Sequence, residues 1–419
     1  MNSDPAELPE GWEWRNQDDV FKFSGGAQPP ASTFVSAPRP GYVRLIQIRD
    51  YASDSNETYV PDSSRLRKCN ADDVMIARYG FSVGRICRGL EGAYNVALVK
   101  TTPLVGVSRE YLFYLLKSDY FQLPLHGQAG RSVQAGFNKD GLRRVQLPAP
   151  PLAEQRRIAG VLGALDEKIE NCSKLARRLD LVLETLFREE FAVPYEQGRL
   201  RDTWTVETVG TRLDTHLGGT PSRQRSEYWE SGSVAWINSG KANDFRVLGA
   251  SEFITEEAVA KSATKLLPRG TTIVAITGTT MGQVSRIEIE ACTNQSLVGI
   301  LGSSELPDEF VYYWVRSLVS QLVRRQTGAA QQHVNKGDIK SLPLLVPDSA
   351  SVADYMRVAE PAMRFISEQL FTARRLAELR DILLPKLISG QLRVPESYNP
   401  DGLHGEAEAG EREGVGLSL

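Results

Sequence analysis

Few residues of this 419-residue chain are of types and spacings that suit catalysis. Four histidines (His126, His216, His333, His404) and four cysteines (Cys69, Cys87, Cys172, Cys292) are scattered, with no close cysteine pair and no histidine at zinc-ligand spacing. Neither a zinc site nor a disulfide framework is expected. Gly240-Lys241 makes a poor phosphate loop, because Ala235 holds the first glycine position and Ala242 replaces the magnesium-binding hydroxyl. An Asp/Asn-Pro-Pro-Tyr/Phe motif of amino-methyltransferases is lacking, since the double prolines follow Gln28 and Ala149. Pro61-Asp62 with Lys68 downstream resembles a nuclease triplet, but no strand pattern flanks it. The expectation is a chain without catalysis, metal or cofactor of its own.

The remaining polar side chains gather in glycine-flexed loops at equivalent places in two halves of the chain. The first pair is Ser24-Gly25-Gly26-Ala27-Gln28-Pro29 and Leu217-Gly218-Gly219-Thr220-Pro221-Ser222-Arg223. The second is Arg78-Tyr79-Gly80-Phe81-Ser82-Val83-Gly84-Arg85 and Ile276-Thr277-Gly278-Thr279-Thr280-Met281-Gly282-Gln283. The third is Gly130-Arg131-Ser132-Val133-Gln134 with Asn138-Lys139, and Gly328-Ala329-Ala330-Gln331-Gln332-His333 with Asn335-Lys336. Arg, Lys, Asn, Gln and Ser/Thr reach phosphates and base edges, and aromatic rings pack on sugars or bases. Candidate DNA contacts in the first half are Arg78, Tyr79, Ser82, Arg85, Arg131, Gln134, Asn138 and Lys139. In the second they are Thr220, Ser222, Arg223, Tyr228, Lys241, Thr279, Gln283, Gln331, Gln332, Asn335 and Lys336, with Trp229 as a further ring. Composition leaves a second reading open, in which the loops are merely solvated. Gly25, Gly26, Gly218 and Gly219 are expected to sit in turns of positive φ.

These loops are framed by a repeat of about 195 residues. Val74-Met75-Ile76-Ala77-Arg78-Tyr79-Gly80 returns as Thr272-Ile273-Val274-Ala275-Ile276-Thr277-Gly278, Glu110-Tyr111-Leu112-Phe113-Tyr114 as Glu309-Phe310-Val311-Tyr312-Tyr313, and Ala176-Arg177-Arg178-Leu179 as Ala373-Arg374-Arg375-Leu376. Each copy starts with an α+β globule, roughly 20–150 and 205–347, carrying strand-like runs (42–48, 272–276) and one helical stretch (109–123, 308–325). Each globule is followed by a long helix. Between Pro151 and Pro194, Ile158, Leu162, Leu165, Ile169, Cys172, Ala176, Leu179, Leu183 and Leu186 step alternately by four and three, the spacing of a coiled-coil seam. About 40 residues make a rod of about 60 Å. Near 352–388, Met356, Ala359, Met363, Ile366, Leu370 and Ala373 keep that step, but Pro361 predicts a kink or two shorter helices. The fold class expected is α+β: two tandem α/β globules separated by helices that pair as an antiparallel coiled coil, an internal repeat with pseudo-two-fold symmetry.

Net charge is −3, yet residues 1–19 and 396–419 each carry −5, which leaves a body of +7 that permits a nucleic-acid partner. No run approaches a membrane span, and Met1–Trp12 lacks the basic end and apolar stretch of a signal peptide, so a soluble cytoplasmic chain is expected.

The chain resembles a specificity subunit of a type I restriction–modification system. The resemblance rests on Leu8-Pro9-Glu10-Gly11-Trp12, on Gly218-Gly219-Thr220-Pro221-Ser222 with Tyr228-Trp229 and Trp236-Ile237, on Pro150 to Ile158 with Leu165-Asp166 and Ile169, and on Leu379 to Leu392, and it covers about 8–395. Departures are Ala27-Gln28 in place of Thr-Pro, and a second helix without a Glu-Gln start. The resemblance implies target recognition domains over 1–150 and 195–348 and helices over 151–194 and 349–395; beyond it, the acidic tail over 396–419 reads as an appendage expected to be disordered. It implies double-stranded DNA as target, read as two half-sites, two methyltransferase (modification) subunits docked on the helices, and motor-nuclease (restriction) subunits beyond them. S-adenosylmethionine, ATP and magnesium are then expected in those partners. The expected docking residues are Glu154, Gln155, Ile158, Leu162, Leu165, Ile169, Ile366, Leu370 and Leu383. Competing readings are a two-headed protein-binding scaffold without a nucleic-acid role and the recognition subunit of a related phage-defence assembly.

Overall fold

A computed structural model describes residues 7–128, 136–137, 139–326 and 334–399. It divides into two compact units, Met1–Lys168 with Arg375–Leu419, and Ile169–Arg374.

The first unit contains β1 (Glu13–Asn16), β2 (Phe21–Gly25), β3 (Tyr42–Ile46), β4 (Tyr59–Pro61), β5 (Lys68–Cys69), β6 (Val74–Ala77), β7 (Ile86–Cys87), β8 (Gly92–Tyr94), β9 (Leu98–Pro103) and β10 (Gln146–Ala149). Strands β2-β9-β6-β7 form one antiparallel sheet, β4-β3-β8-β5 a second with β3 parallel to β8, and β1 pairs with β10. The second unit contains β11 (Thr205–Thr208), β12 (Thr215–Leu217), β13 (Val234–Ile237), β14 (Glu252–Ile254), β15 (Thr272–Ala275), β16 (Val284–Arg286), β17 (Cys292–Thr293), β18 (Leu297–Ile300) and β19 (Pro343–Val346). Its sheets are β12-β18-β15-β16, β14-β13-β17 with β13 parallel to β17, and β11-β19. The two orders correspond strand for strand, except that β5 is matched by a single bridge, Leu267 to Ala291. The repeat is a repeat of fold.

The predicted helix at 109–123 breaks in two, Arg109–Lys117 and Asp119–Gln128. Ser118 is extended there, and its hydroxyl donates to the Leu115 carbonyl (2.7 Å), which satisfies an end that would otherwise be orphaned. Its counterpart, Asp308–Gln326, is unbroken.

The central helix runs Leu152–Phe187, and the distal one Ser349–Ile388. The expected stop at Pro194 does not occur. A π-turn at Arg188–Ala192 leads into a last turn, Val193–Glu196, where proline sits near a helix start and its missing N–H costs nothing. The seam also shifts, one residue ahead of the π-turn. Leu183 is buried, but Phe187 and Phe191 continue the line, and the expected Leu186 is exposed. The distal helix passes through Pro361 unbroken, because this proline faces solvent, where water can serve the carbonyl it releases. Pro361→Ala is therefore expected to raise stability by about 1–3 kcal/mol in urea unfolding.

Within the first unit the two helices run antiparallel, with Asp166 of the central helix accepting from Arg380 of the distal one (2.6 Å) while Glu154 meets Arg393 beyond its end. Two segments far apart in sequence also meet here: Trp12 Nε1–H donates to Glu154 (2.9 Å), Pro9 crowds Gly390, and Val394 joins the core of Trp12, Ile158 and Leu387. In the second unit Arg246 touches both Asp180 (2.5 Å) and the Met363 sulfur (3.6 Å), tying the globule to both helices.

Candidate nucleic-acid interface

The glycine pairs at the ends of β2 and β12 do not have positive φ. The reason for glycine is close approach. A Cβ on Gly26 would collide with the Asn95 carbonyl oxygen, and one on Gly218 with that of Asn294. Gly219 is held the same way, since a Cβ there would lie 2.7 Å from the Thr264 amide nitrogen, and Trp236 donates to its carbonyl (3.1 Å). Gly26→Ala should cost about 1–3 kcal/mol in thermal unfolding, because backbone has to move to admit the methyl.

The β6–β7 and β15–β16 turns are where positive φ is needed. Gly80 and Gly84 have φ of +70° and +83°, and Gly278 and Gly282 +71° and +83°. Each turn closes by the same hydrogen bonds: Gly84 N–H to Ala77 O (3.0 Å) and Arg85 N–H to Ser82 O (2.9 Å), against Gly282 N–H to Ala275 O (2.8 Å) and Gln283 N–H to Thr280 O (2.9 Å). The same scaffold therefore presents different side chains. In the first unit Tyr79 and Arg85 are exposed and Ser82 is half-buried; in the second Thr279 and Gln283 are exposed. The Tyr79 ring lies under the Arg78 guanidinium (5.0 Å) and against Gly136.

Arg78 and Lys139, far apart in sequence, come together. With Lys22, Phe23, Asp18, Asp140 and Arg143 they line a cavity of about 410 Å³. Burial and the Arg78 charge hold the Lys139 ammonium below its usual pKa. Sequence reasoning missed Lys22 and Arg143; the alternation Phe21-Lys22-Phe23 turns Lys22 outward, yet nothing in it points to this cavity.

Other candidates are already engaged. Tyr228, expected as a ring for bases, is core, buried with Trp236, Ile254 and Cys292. Arg223 makes a two-pronged pair with Glu252 (2.6 Å each) and lies 3.4 Å over Trp229. Lys241 pairs with Asp244 (2.9 Å), Thr220 donates to Gln295 (2.5 Å), and Asn335 caps a helix by accepting from Gly337 and Asp338. Ser222 is exposed and Lys336 half-buried. Arg131, Gln134, Asn138, Gln331 and Gln332 lie outside the described residues.

The expected docking residues mostly serve the chain itself. Glu154 and Gln155 are 2% and 1% exposed. Glu154 holds Trp12 and Arg393, and Gln155 binds Ser108 N–H (2.8 Å) and the carbonyls of Gly106 (3.0 Å) and Pro150 (2.8 Å). Ile158, Leu162, Ile366 and Leu370 are buried within their own units, and Leu165, Ile169 and Leu383 half-buried. A seam that closes a core is not free for a partner. Asp62 and Lys68 do meet, as an exposed ion pair (2.7 Å). Burial raises the Cys69 thiol to about 11, too high for a nucleophile at neutral pH. Among the described residues no His, Cys, Asp or Glu group is arranged for a metal, and no helix is long and apolar enough to cross a membrane.

Two like globules on long helices, each presenting one rigid turn with its own side chains, define a recognition protein. The family model for the type I restriction modification DNA specificity domain matches residues 9–179 and 202–351, and the chain belongs to that family: it is a non-catalytic specificity subunit that recognises DNA within a type I restriction–modification complex. It is 25% identical to the type I restriction enzyme MjaIX specificity subunit of Methanocaldococcus jannaschii (94% of this chain, 96% of that one). It is 22% identical to the EcoKI specificity subunit of Escherichia coli K12 (96% and 94%). The crystal structure of the S subunit from M. genitalium superposes with a TM-score of 0.59 at 14% identity (92% and 98%).

Proposed function

We propose that the chain reads a split, asymmetric DNA sequence, one globule per half-site, with the turns Arg78–Arg85 and Ile276–Gln283 as reading elements. The observation that carries this is the identical glycine-pinned turn on equivalent strands with unlike side chains: a common mount with different readers. Arg85, Tyr79 and Lys139 serve the first half-site, and Thr279, Gln283, Ser222 and Lys336 the second. On this reading residues 1–150 and 195–348 are the recognition domains and the helices over 151–194 and 349–395 the spacer.

The modification subunits dock on the helix faces turned away from the cores rather than on the seam. Leu175, Leu181, Val182 and Leu186 of the central helix, and Val358 and Phe365 of the distal one, are exposed apolar side chains suited to this. The methyltransferase, motor and nuclease chemistry, with S-adenosylmethionine, ATP and magnesium, belongs to partner subunits, and the assembly works in the cytoplasm. With a body charge of only +7, the isolated chain binds DNA weakly and in a salt-dependent way, and the complex binds tightly.

The test is modification-sensitive sequencing of the host genome with and without the gene. Loss of one split motif, modified in both halves, is expected. An unchanged pattern with the gene expressed and its modification partner intact would point to a protein-binding scaffold. Once the motif is known, Arg85→Ala should relax the first half only, costing about 1–3 kcal/mol of discrimination there. Relaxed selection in the second half would refute the assignment.

A further inference from the structure

Phe81 is fully exposed, at the tip of the β6–β7 turn. Phenylalanine is among the residue types most often buried. Here a hydrogen-bonded backbone turn presents it outward. Gly80 and Gly84 pin the turn at φ of +70° and +83°, Val83 N–H donates to Gly80 O (3.2 Å), and Ala77 N–H and Arg85 O close the base (2.9 Å). A ring on such a mount loses little conformational freedom when it meets a ligand.

The charge around it says what that ligand is. Arg78 opens the turn and Arg85 ends it, and Lys22, Lys139 and Arg143 share the adjoining cavity with Arg78. The acids of that cavity, Asp18 and Asp140, approach Arg143 (3.8 and 3.0 Å); Asp140 also acts on the Lys139 charge, but no described carboxylate makes an ion-pair contact with Lys22, Arg78 or Lys139. The Arg78 Nε is buried without a hydrogen-bond partner. A cationic cluster short of anions beside a bare ring suits a phosphodiester backbone carrying stacked bases, whereas an apolar protein surface would have to desolvate these cations.

We propose that Phe81 is a wedge that stacks on, or inserts between, bases of the first half-site while Lys22, Arg78 and Lys139 hold the adjacent phosphates. This rests on the DNA-reading role proposed above. The device is confined to one globule. The matching turn of the second unit has the same glycine geometry but carries Thr279 at the place of Phe81 and Ile276 at that of Arg78, and by strand register Asp214 stands where β2 has Lys22. The first half-site is gripped by stacking and deformation, and the second by hydrogen bonding.

The test uses the complex of this chain with its modification subunits and a duplex bearing the split motif found by methylation sequencing, with 2-aminopurine placed through the first half-site. Wild type should bind with a rise in 2-aminopurine emission as the neighbouring base is unstacked. Phe81→Ala should abolish that rise and weaken binding about ten- to a hundredfold, with the salt dependence unchanged, and Phe81→Trp should restore both. Lys139→Gln should instead lower the salt slope by about one. Unchanged affinity and emission in Phe81→Ala, with wild type still selecting its motif, would overturn the wedge and leave the reading role standing. Loss of modification subunits from Phe81→Ala at equal DNA affinity would make the ring a protein contact and overturn it as well. A wild-type complex that selects no sequence would remove the reading role itself, and the wedge with it.

Discussion

Asp180→Ala should destabilise the second unit by about 3–5 kcal/mol, because it takes its hydrogen-bonded anion from a fully buried guanidinium and leaves only Glu288, at 3.7 Å. Arg246 has no exposed side-chain surface. Its Nη2 donates to Asp180 (2.5 Å), its Nη1 to the Tyr312 hydroxyl (2.7 Å), and its Nε faces Glu288 at 3.7 Å. Asp180 also accepts from Tyr313 (2.8 Å) and Arg316 (2.9 Å). Burial pushes the Asp180 carboxyl up, but Arg246 and Arg316 outweigh it, and its pKa falls below the usual value. The sign follows. A carboxylate whose folded pKa is depressed contributes stability above its unfolded pKa, about 4, and that contribution is lost as pH falls through the folded value. Urea unfolding should therefore show stability falling from about pH 4 downward, and Asp180→Asn should flatten that acid limb. Asp180→Leu combined with Arg246→Met should recover much of the loss, since paired apolar groups desolvate at no electrostatic cost. A loss below about 1 kcal/mol in Asp180→Ala would show that the network does not hold this globule to its helices.

Phe187→Ala should cost about 3–5 kcal/mol in the same assay. The ring is buried among Phe191, Phe310, Tyr313, Trp314 and Tyr355, with centroids 5.1 to 6.5 Å away. Its removal opens a cavity where the central helix, the helix Asp308–Gln326 and the distal helix converge, and the near-ultraviolet aromatic signal should shrink with the stability. Leu186→Ala, one residue before, should change stability by less than about 1 kcal/mol, because that side chain is half in water. The contrast tests the seam shift: equal effects would mean that the spacing of three had persisted to Leu186.

Much of the architecture was legible in the residues. Matching blocks at near-constant offset announced two like globules, and both were found with one strand order. The glycine-rich loops were recognisable too, but the reason for their glycines was only half readable. Gly80 and Gly278 need positive φ, whereas Gly26 and Gly218 need room for a carbonyl oxygen from the turn that follows β8 or β17. A proline inside a helix reads as a break; Pro361 is tolerated because it faces solvent, and facing is a property of the packed helix. Tyr228 looked like a base-stacking ring and is core, while Phe81, inside one of the glycine-flexed loops, gives no sign of its exposure in a string of letters.

By itself, the sequence determined the duplication, the two long helices and the family, since these depend on periodicity and on ordered motifs that survive along the chain. Only the tertiary structure decided which polar residues are free. Glu154, Gln155, Arg223 and Tyr228 have the right chemistry for partners, yet each is held by groups distant in sequence, and Lys139 and Arg78 become a site only by meeting across about sixty residues of chain. Hydrogen bonds and burial are pairwise facts, settled when the strands and helices come together.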